Sequence, residues 1–414
     1  MDEVGREEER AADAAPETAR RGRRADAVLA VFVAVAVAAA GLAATVELAG
    51  RSAPAVEGPL VREASFPITK QEILDAGLSL KEARYWEPRP DGSVQCKLCP
   101  FTCTIPEGER GVCKVRANIG GKLRALTYGK PVAVHVDPIE KKPLFHVLPR
   151  ARAFSLATAG CNLGCVFCQN WEISQAFPEE ARHLDAPPAR IVDAAVESGC
   201  EVIAYTYTEP TIFFEYMMDT AKRAKKRGLK NVWITCGYIN PEPLRELCTV
   251  LDAANVDLKG YDEGFYRTYC KATLPPVLKT LEILEAEGVF VEVTNLLIPG
   301  ANDDPQTIRR MCSWIRRRLG AETPLHFSRF HGAYQLEDRP RTPAATLRKA
   351  RDIARAEGLQ HVYLGNIFLE DGETTFCPHC GKRVVERRGF VVETLMIAHG
   401  RCAFCGGKIE GVWE

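Results

Sequence analysis

The sequence predicts an α/β protein whose β/α units curve into an open, partial (β/α)6 barrel. Three observations carry this. Between residues 150 and 370, short β-rich runs alternate with helical stretches; the runs are nearly continuous in apolar residues; and glycines close the helical stretches. Buried parallel strands read as unbroken apolar runs, because helices cover them. The strand runs are "AFSLATA" (153–159), "VIAYTYT" (202–208), "NVWITC" (231–236), "NVDLK" (255–259), "VFVEVTNLLI" (289–298) and "LHFSRF" (325–330), with "HVYLG" (361–365) following. Between them lie helical stretches such as "PARIVDAAVESG", "IFFEYMMDTAKRAKKRG" and "PPVLKTLEILEAEG", each ended by a glycine suited to a helix stop.

Before this core the sequence divides into further segments. Residues 1–26 are charged and Ala-rich without apolar periodicity, and read as disordered. Residues 27–46 are an unbroken apolar run of 20 residues behind Arg20, Arg21, Arg23 and Arg24. That length spans a bilayer once as a helix, so a transmembrane helix or signal anchor is expected, with a cleaved twin-arginine-type signal as the rival. The arginines place the amino terminus in the cytoplasm by the positive-inside rule; the chemistry below favours a cytoplasmic catalytic domain instead. Residues 47–85 are a linker, 86–149 a Cys-rich module, and 371–414 a carboxy-terminal module.

Composition narrows the function classes. The chain has 414 residues with Lys+Arg and Asp+Glu equal at 54 each, so no net field attracts nucleic acid. Most of its 16 cysteines cluster at metal-ligand spacings, which points to thiolates held for metal rather than a disulfide scaffold.

Three cysteine groups stand out. Cys96, Cys99, Cys103 and Cys113 can close a four-thiolate site, with the "EGERG" turn folding the chain back on the metal; spacing leaves zinc and iron–sulfur both open. Cys377, Cys380, Cys402 and Cys405 form two C-x2-C knuckles, each followed by glycine and separated by a hairpin-like stretch, the pattern of a zinc ribbon. Its mixed charge favours a structural cap over a nucleic-acid reader. Cys161, Cys165 and Cys168, in "CNLGCVFC", are only three. A structural zinc site takes four ligands, so three cysteines leave a coordination position open for chemistry.

That loop follows the first barrel strand, and the other unusual polar residues also follow strands. Glu209 ends the second, Thr235, Cys236 and Gly237 the third, Asp257 and Lys259 the fourth; Thr294 and Asn295 belong to the fifth, Arg329 and His331 to the sixth. In a parallel barrel these ends converge on one face.

At these residues the sequence resembles the radical S-adenosylmethionine (SAM) enzymes. C-x3-C-x2-C with Phe167 before the last cysteine is their fingerprint. "YTYTEPTIFFEY", "VDLKGYDEGFYR", "LLIPGANDD", "HFSRFH" and "VYLGN" resemble the branch with pyruvate formate-lyase activating enzymes, and the flanking cysteine modules are similar to the radical SAM component of the AmmeMemoRadiSam system. The resemblance covers about residues 85–414. It implies a 4Fe-4S cluster on Cys161, Cys165 and Cys168, with SAM on the fourth iron. By the same resemblance, Glu209 receives the SAM amino group, Lys259 of the D-x-K pair faces its carboxylate, and Phe167, Thr235, Thr294 and His331 line the pocket. Where the family often has T-N-G, this chain has "TCG", so Cys236 removes whatever bond an Asn side chain makes there.

The resemblance implies reductive cleavage of SAM to methionine and a 5′-deoxyadenosyl radical that abstracts hydrogen from a substrate. The implied partners are SAM, a low-potential electron donor such as flavodoxin or ferredoxin, and a protein substrate or other components of the AmmeMemoRadiSam system; the apolar run adds the membrane. The competing expectation is a membrane-tethered iron–sulfur or zinc module for electron transfer or binding, without SAM cleavage. It leaves Glu209, Asp257 and Lys259 without a task.

Overall fold

The structure, a computed structural model, describes residues 65–414. The charged segment 1–26 and the apolar run 27–46 lie outside the described residues. The expectation of a transmembrane helix, with its membrane location and membrane partner, is corrected here: among the described residues no helix is long and apolar enough to cross a membrane. The longest of these, Pro305–Arg318, has 14 residues, or about 21 Å at ~1.5 Å per residue. A hydrocarbon core is about 30 Å thick, and this helix carries five arginines, Arg309, Arg310, Arg316, Arg317 and Arg318.

The central sheet has eight strands: β1 Pro131–Pro138, β2 Arg152–Thr158, β3 Val202–Tyr205, β4 Lys230–Thr235, β5 Ala253–Asp257, β6 Phe290–Leu297, β7 Leu325–Arg329 and β8 Val362–Gly365. They lie side by side in chain order. β2 to β8 are all parallel, and β1 pairs antiparallel with β2 at the edge. The connections between successive parallel strands carry the helices α1 Pro188–Glu197, α2 Phe214–Lys226, α3 Pro241–Cys248, α4 Leu274–Ala286, α5 Pro305–Arg318 and α6 Ala344–Ala356. The sheet is the partial, barrel-like curve of an α/β fold, one antiparallel strand longer than the sequence suggests. "PVAVHVDP" of β1 is half exposed and carries prolines at both ends, so it lacks the apolar continuity that marks the buried strands. Gly199, Gly228 and Gly288 just beyond α1, α2 and α4 all have positive φ, the left-handed turn that stops a helix and costs a side chain dearly.

Along β5 to β8, polar residues recur every second position. Asn255 pairs with Glu292 and His326 with Tyr363, and the Glu292–His326 side-chain contact joins these pairs into one layer; towards the strand ends Asp257 pairs with Thr294 and Ser328 with Gly365, which make up the next layer. The lower layer is closed by the β1–β2 connection. Asn255 donates to the Pro143 carbonyl at 2.7 Å, Glu292 accepts from the Phe145 and His146 N–H groups at 3.1 and 2.8 Å, and Glu292 pairs with His326 at 2.6 Å. These contacts tie the buried polar groups together and floor the barrel, with Asn255 Oδ1 alone of them left without a partner among the described residues. The upper layer is left open.

Two small sheets precede the barrel, Trp86–Pro88 with Val94–Cys96 and Thr104–Ile105, and Lys81–Glu82 with Arg116–Asn118 and Leu123–Ala125. After it, Arg383–Arg388 and Val391–Leu395 form an antiparallel hairpin. The hairpin and the last residues of the chain are tied to the floor. Arg387 donates to the Phe145 carbonyl at 2.6 Å, His146 Nδ1 lies 2.7 Å from the Glu410 carbonyl, and Val147 bridges to Val412.

Candidate active site

The open upper layer leads into a cavity of about 300 Å³ lined by Cys161, Cys165, Cys168, Glu209, Thr235 and Lys259, together with Phe167, Cys236, Asp257 and Thr294. Residues from five different strand ends therefore meet at one place. The cysteine loop that follows β2 is held from two sides by three bonds: Gly160 N–H donates to the Ile173 carbonyl at 2.9 Å, Gly164 N–H to Cys270 and Val166 N–H to Tyr269 at 3.0 and 2.9 Å. The last two carbonyls belong to a π-helical turn, Tyr266–Cys270, a distortion often found at functional sites. Leu163 N–H points at the Cys161 sulfur at 3.3 Å, and the Ser174 hydroxyl lies 3.2 Å from that of Cys168. Burial pushes the Cys161 thiol well above the usual range, with neighbouring Glu209 acting in the same direction, so a bare thiol here keeps its proton and a metal must displace it.

Glu209 is buried and fixed by β4. Its carboxylate accepts from Thr211 N–H at 2.9 Å and its hydroxyl at 2.6 Å, from the Thr235 hydroxyl at 2.8 and 3.0 Å, and from Cys236 N–H at 2.8 Å. The "TCG" sequence thus supplies a main-chain donor to Glu209, which any residue at 236 can do; the Cys236 sulfur reaches Asn162 Oδ1 only at 3.9 Å. Lys259 Nζ sits 2.9 Å from Asp257 Oδ2 and 6.0 Å from the Phe167 ring centre. Burial works against the Lys259 charge, but Asp257 and the surrounding thiols outweigh it and hold its pKa well above the usual lysine range.

Thr294 presents a buried hydroxyl with no hydrogen-bond partner among the described residues. An orphaned polar group in a cavity wall fits a bound polar ligand. His331 is placed otherwise: it is exposed, outside the lining, with Nδ1 3.3 Å from Gln169 Nε2. It touches the cysteine loop without reaching the cavity.

The structure adds residues that strand-end reasoning missed. Lys142 and Tyr207 line the cavity, and Lys142 pairs with Asp137 at 2.5 Å while Tyr207 donates to the same carboxylate. Burial draws the Lys142 pKa down to about 8, against the pull of Asp137. Lys142 comes from the β1–β2 connection, which no strand-end pattern identifies. Tyr207 has φ 66°, a left-handed conformation disfavoured for a bulky residue, in a loop where such strain commonly marks function. Asn366, in the "GN" that follows β8, bonds Ser328 Oγ at 2.8 Å.

The carboxy-terminal cysteines are arranged differently. Cys377 and Cys405 sulfurs are 3.6 Å apart and those of Cys380 and Cys402 3.8 Å, and all four lie within 4.8 Å of one another. They can hold one metal ion.

A parallel, partly closed barrel with three cysteines on its first strand-end loop defines a class, and the family comparison agrees with it. Residues 155–312 match the model of the radical SAM superfamily, and the chain belongs to that family. An uncharacterized protein of Methanocaldococcus jannaschii is 47% identical over 333 residues, covering 80% of this chain and 99% of that protein. The pyruvate formate-lyase-activating enzyme of Clostridium pasteurianum is 24% identical over 166 residues, 39% of this chain and 69% of that one. The benzylsuccinate synthase activating enzyme of Thauera aromatica is 23% identical over 179 residues, 40% of this chain and 54% of that one. The family implies a 4Fe-4S cluster and SAM, and the donor set fits them: three thiols, an orphaned hydroxyl, the Glu209 carboxylate and the Lys259 ammonium in a single cavity.

Proposed function

We propose that this protein cleaves SAM reductively and uses the resulting radical to abstract hydrogen from a partner protein. The observation that carries this is the convergence of Cys161, Cys165, Cys168, Glu209 and the Asp257–Lys259 pair on one cavity. Cys161, Cys165 and Cys168 would hold the cluster. Together the cluster and SAM supply one-electron cleavage to methionine and a 5′-deoxyadenosyl radical, chemistry that belongs to the cofactor. The protein orients and shields. Glu209, immobilised by Thr211, Thr235 and Cys236, accepts from the SAM amino group in a charge-assisted bond. Lys259, kept charged beside Asp257, faces the SAM carboxylate, while Phe167, Thr235 and Thr294 form the walls that keep water from the radical. His331 stands on the rim, where an incoming substrate passes. The electron comes from a low-potential donor of the flavodoxin or ferredoxin kind. A protein substrate is favoured because two of the similar proteins are named as enzymes that activate other enzymes. The ribbon cysteines hold zinc as a structural clasp.

The test is the paramagnetic spectrum of the reduced protein with and without SAM. A shift on adding SAM, lost in a Cys161→Ala, Cys165→Ala, Cys168→Ala variant that keeps its ribbon metal, is the expected result. A cluster signal indifferent to SAM would sink the proposal.

A further inference from the structure

We infer that Cys96, Cys99, Cys103 and Cys113 hold a second iron–sulfur cluster rather than a zinc ion. The ribbon provides the yardstick. A zinc ion at about 2.3 Å from each sulfur sets neighbouring sulfurs about 3.8 Å apart, and the ribbon pairs stand at 3.6 and 3.8 Å. Among the described residues the ribbon is the group of three or more His, Cys, Asp or Glu ligand atoms that all fall within 4.8 Å of one another. No three sulfurs of the amino-terminal quartet meet that distance, and neither do Cys161, Cys165 and Cys168. The quartet shares the wide spacing of the set assigned above to a cluster.

The four cysteines nonetheless face one another. All are free thiols lining one cavity with Leu98, Ile105, Ile212 and Arg116. Its volume is about 10 Å³, on the order of one water sphere, space that four sulfurs closed on a single zinc do not leave.

Arg116 supplies an independent sign of a missing acceptor. Only 2% exposed, it pairs with Glu215 at 3.0 Å through its terminal nitrogens, yet its Nε is buried with no partner among the described residues. An orphaned guanidinium N–H on a sulfur-lined cavity matches a sulfide or thiolate acceptor, and the positive charge offsets the negative charge of a four-thiolate cluster.

The second site abuts the first. Gly160, the residue before Cys161, has φ 91°, and a Cβ there would fall 2.6 Å from the Cys113 carbonyl oxygen. Thr211 lines the quartet cavity while donating to Glu209 in the barrel cavity, so one turn of chain separates the two.

The full chain, reconstituted anaerobically with iron and sulfide, is assayed for iron, acid-labile sulfide and zinc beside the Cys161→Ala, Cys165→Ala, Cys168→Ala variant. The wild type should carry two clusters' worth of iron and sulfide with a single zinc, and the variant should keep about half the iron and sulfide and all the zinc. A Cys96→Ser, Cys113→Ser variant should lose the other half while its remaining signal still responds to SAM. One cluster's worth of iron with two zinc ions in the wild type overturns the inference even if every variant misfolds, and so does an iron-free barrel variant that is folded. Retained iron in that variant, with no SAM response in the wild type, would instead spare this inference and defeat the function proposed above.

Discussion

The barrel rim and the carboxy-terminal ribbon both gather cysteines, yet they are built for opposite ends. The ribbon brings four sulfurs to within 4.8 Å on either side of a hairpin, with glycines at the turns, a closed set with no ligand left to add. At the rim, three sulfurs share a cavity of about 300 Å³ with a carboxylate, a lysine and an unsatisfied hydroxyl. Spare coordination and unsatisfied polar groups are costly in a folded protein, and their concentration at one place marks it as the reactive site.

The sharpest way to break this contrast is to remove one set at a time. Replacing Cys161, Cys165 and Cys168 with Ala should abolish SAM-dependent cluster signals while leaving zinc content and thermal unfolding near those of the wild type. Removing Cys377 and Cys402 should do the reverse: zinc is lost, and residues 371–414 become open to protease, because the ribbon's own buried cluster amounts to Cys377, Val384, Cys402 and Ile409. Native mass spectrometry and limited proteolysis read both. If the ribbon variant keeps its metal, the closed-site reading of that region fails.

A pH titration probes the seam between the two regions. His361 packs against His146 with ring centres 4.5 Å apart, beside the Glu410 and Trp413 contacts of the carboxy terminus. Burial lowers its pKa to about 4, below the ~6.5 of a free imidazole. Between those values the unfolded chain binds a proton that the folded chain refuses. Stability should therefore fall as pH drops from about 6.5 to about 4 and flatten below, by roughly 3 kcal/mol from this group. Denaturant midpoints across that range, for the wild type and His361→Asn, check it; the variant should show a shallower slope.

Smaller effects are expected from single contacts inside the rim. Glu209→Ala or Lys259→Ala removes one charged hydrogen bond, worth roughly 1.5 to 3 kcal/mol, and should weaken SAM binding about tenfold or more without removing the cluster. Equilibrium binding of SAM to the reconstituted variants measures this. Unchanged affinity in both would mean that these side chains serve the fold alone.

Much of this arrangement was legible in the sequence, for physical reasons that also explain what was not. Parallel strands buried on both faces announce themselves as apolar runs, so Val202–Tyr205 and Phe290–Leu297 lie within the stretches expected of them. Ligand spacing is local, so each cysteine group could be read directly. β1 escaped notice because an edge strand half exposed to solvent lacks that apolar signature. Lys142 and Tyr207 escaped because their pairing through Asp137 joins residues 65 and 70 positions apart, with no local pattern. His331 was placed by analogy with its strand, but its side chain remains outside the cavity. A transmembrane helix was inferred from hydropathy alone, and the described residues provide none.

The most direct measurement is product release. Anaerobically reconstituted protein, supplied with a strong reductant and SAM, should form 5′-deoxyadenosine and methionine slowly even without substrate. The yield should collapse in the Cys161, Cys165, Cys168 variant and survive the Cys377, Cys402 one. A protein with a verified 4Fe-4S cluster in the barrel that releases no 5′-deoxyadenosine would contradict the account and leave electron transfer without SAM cleavage as its function.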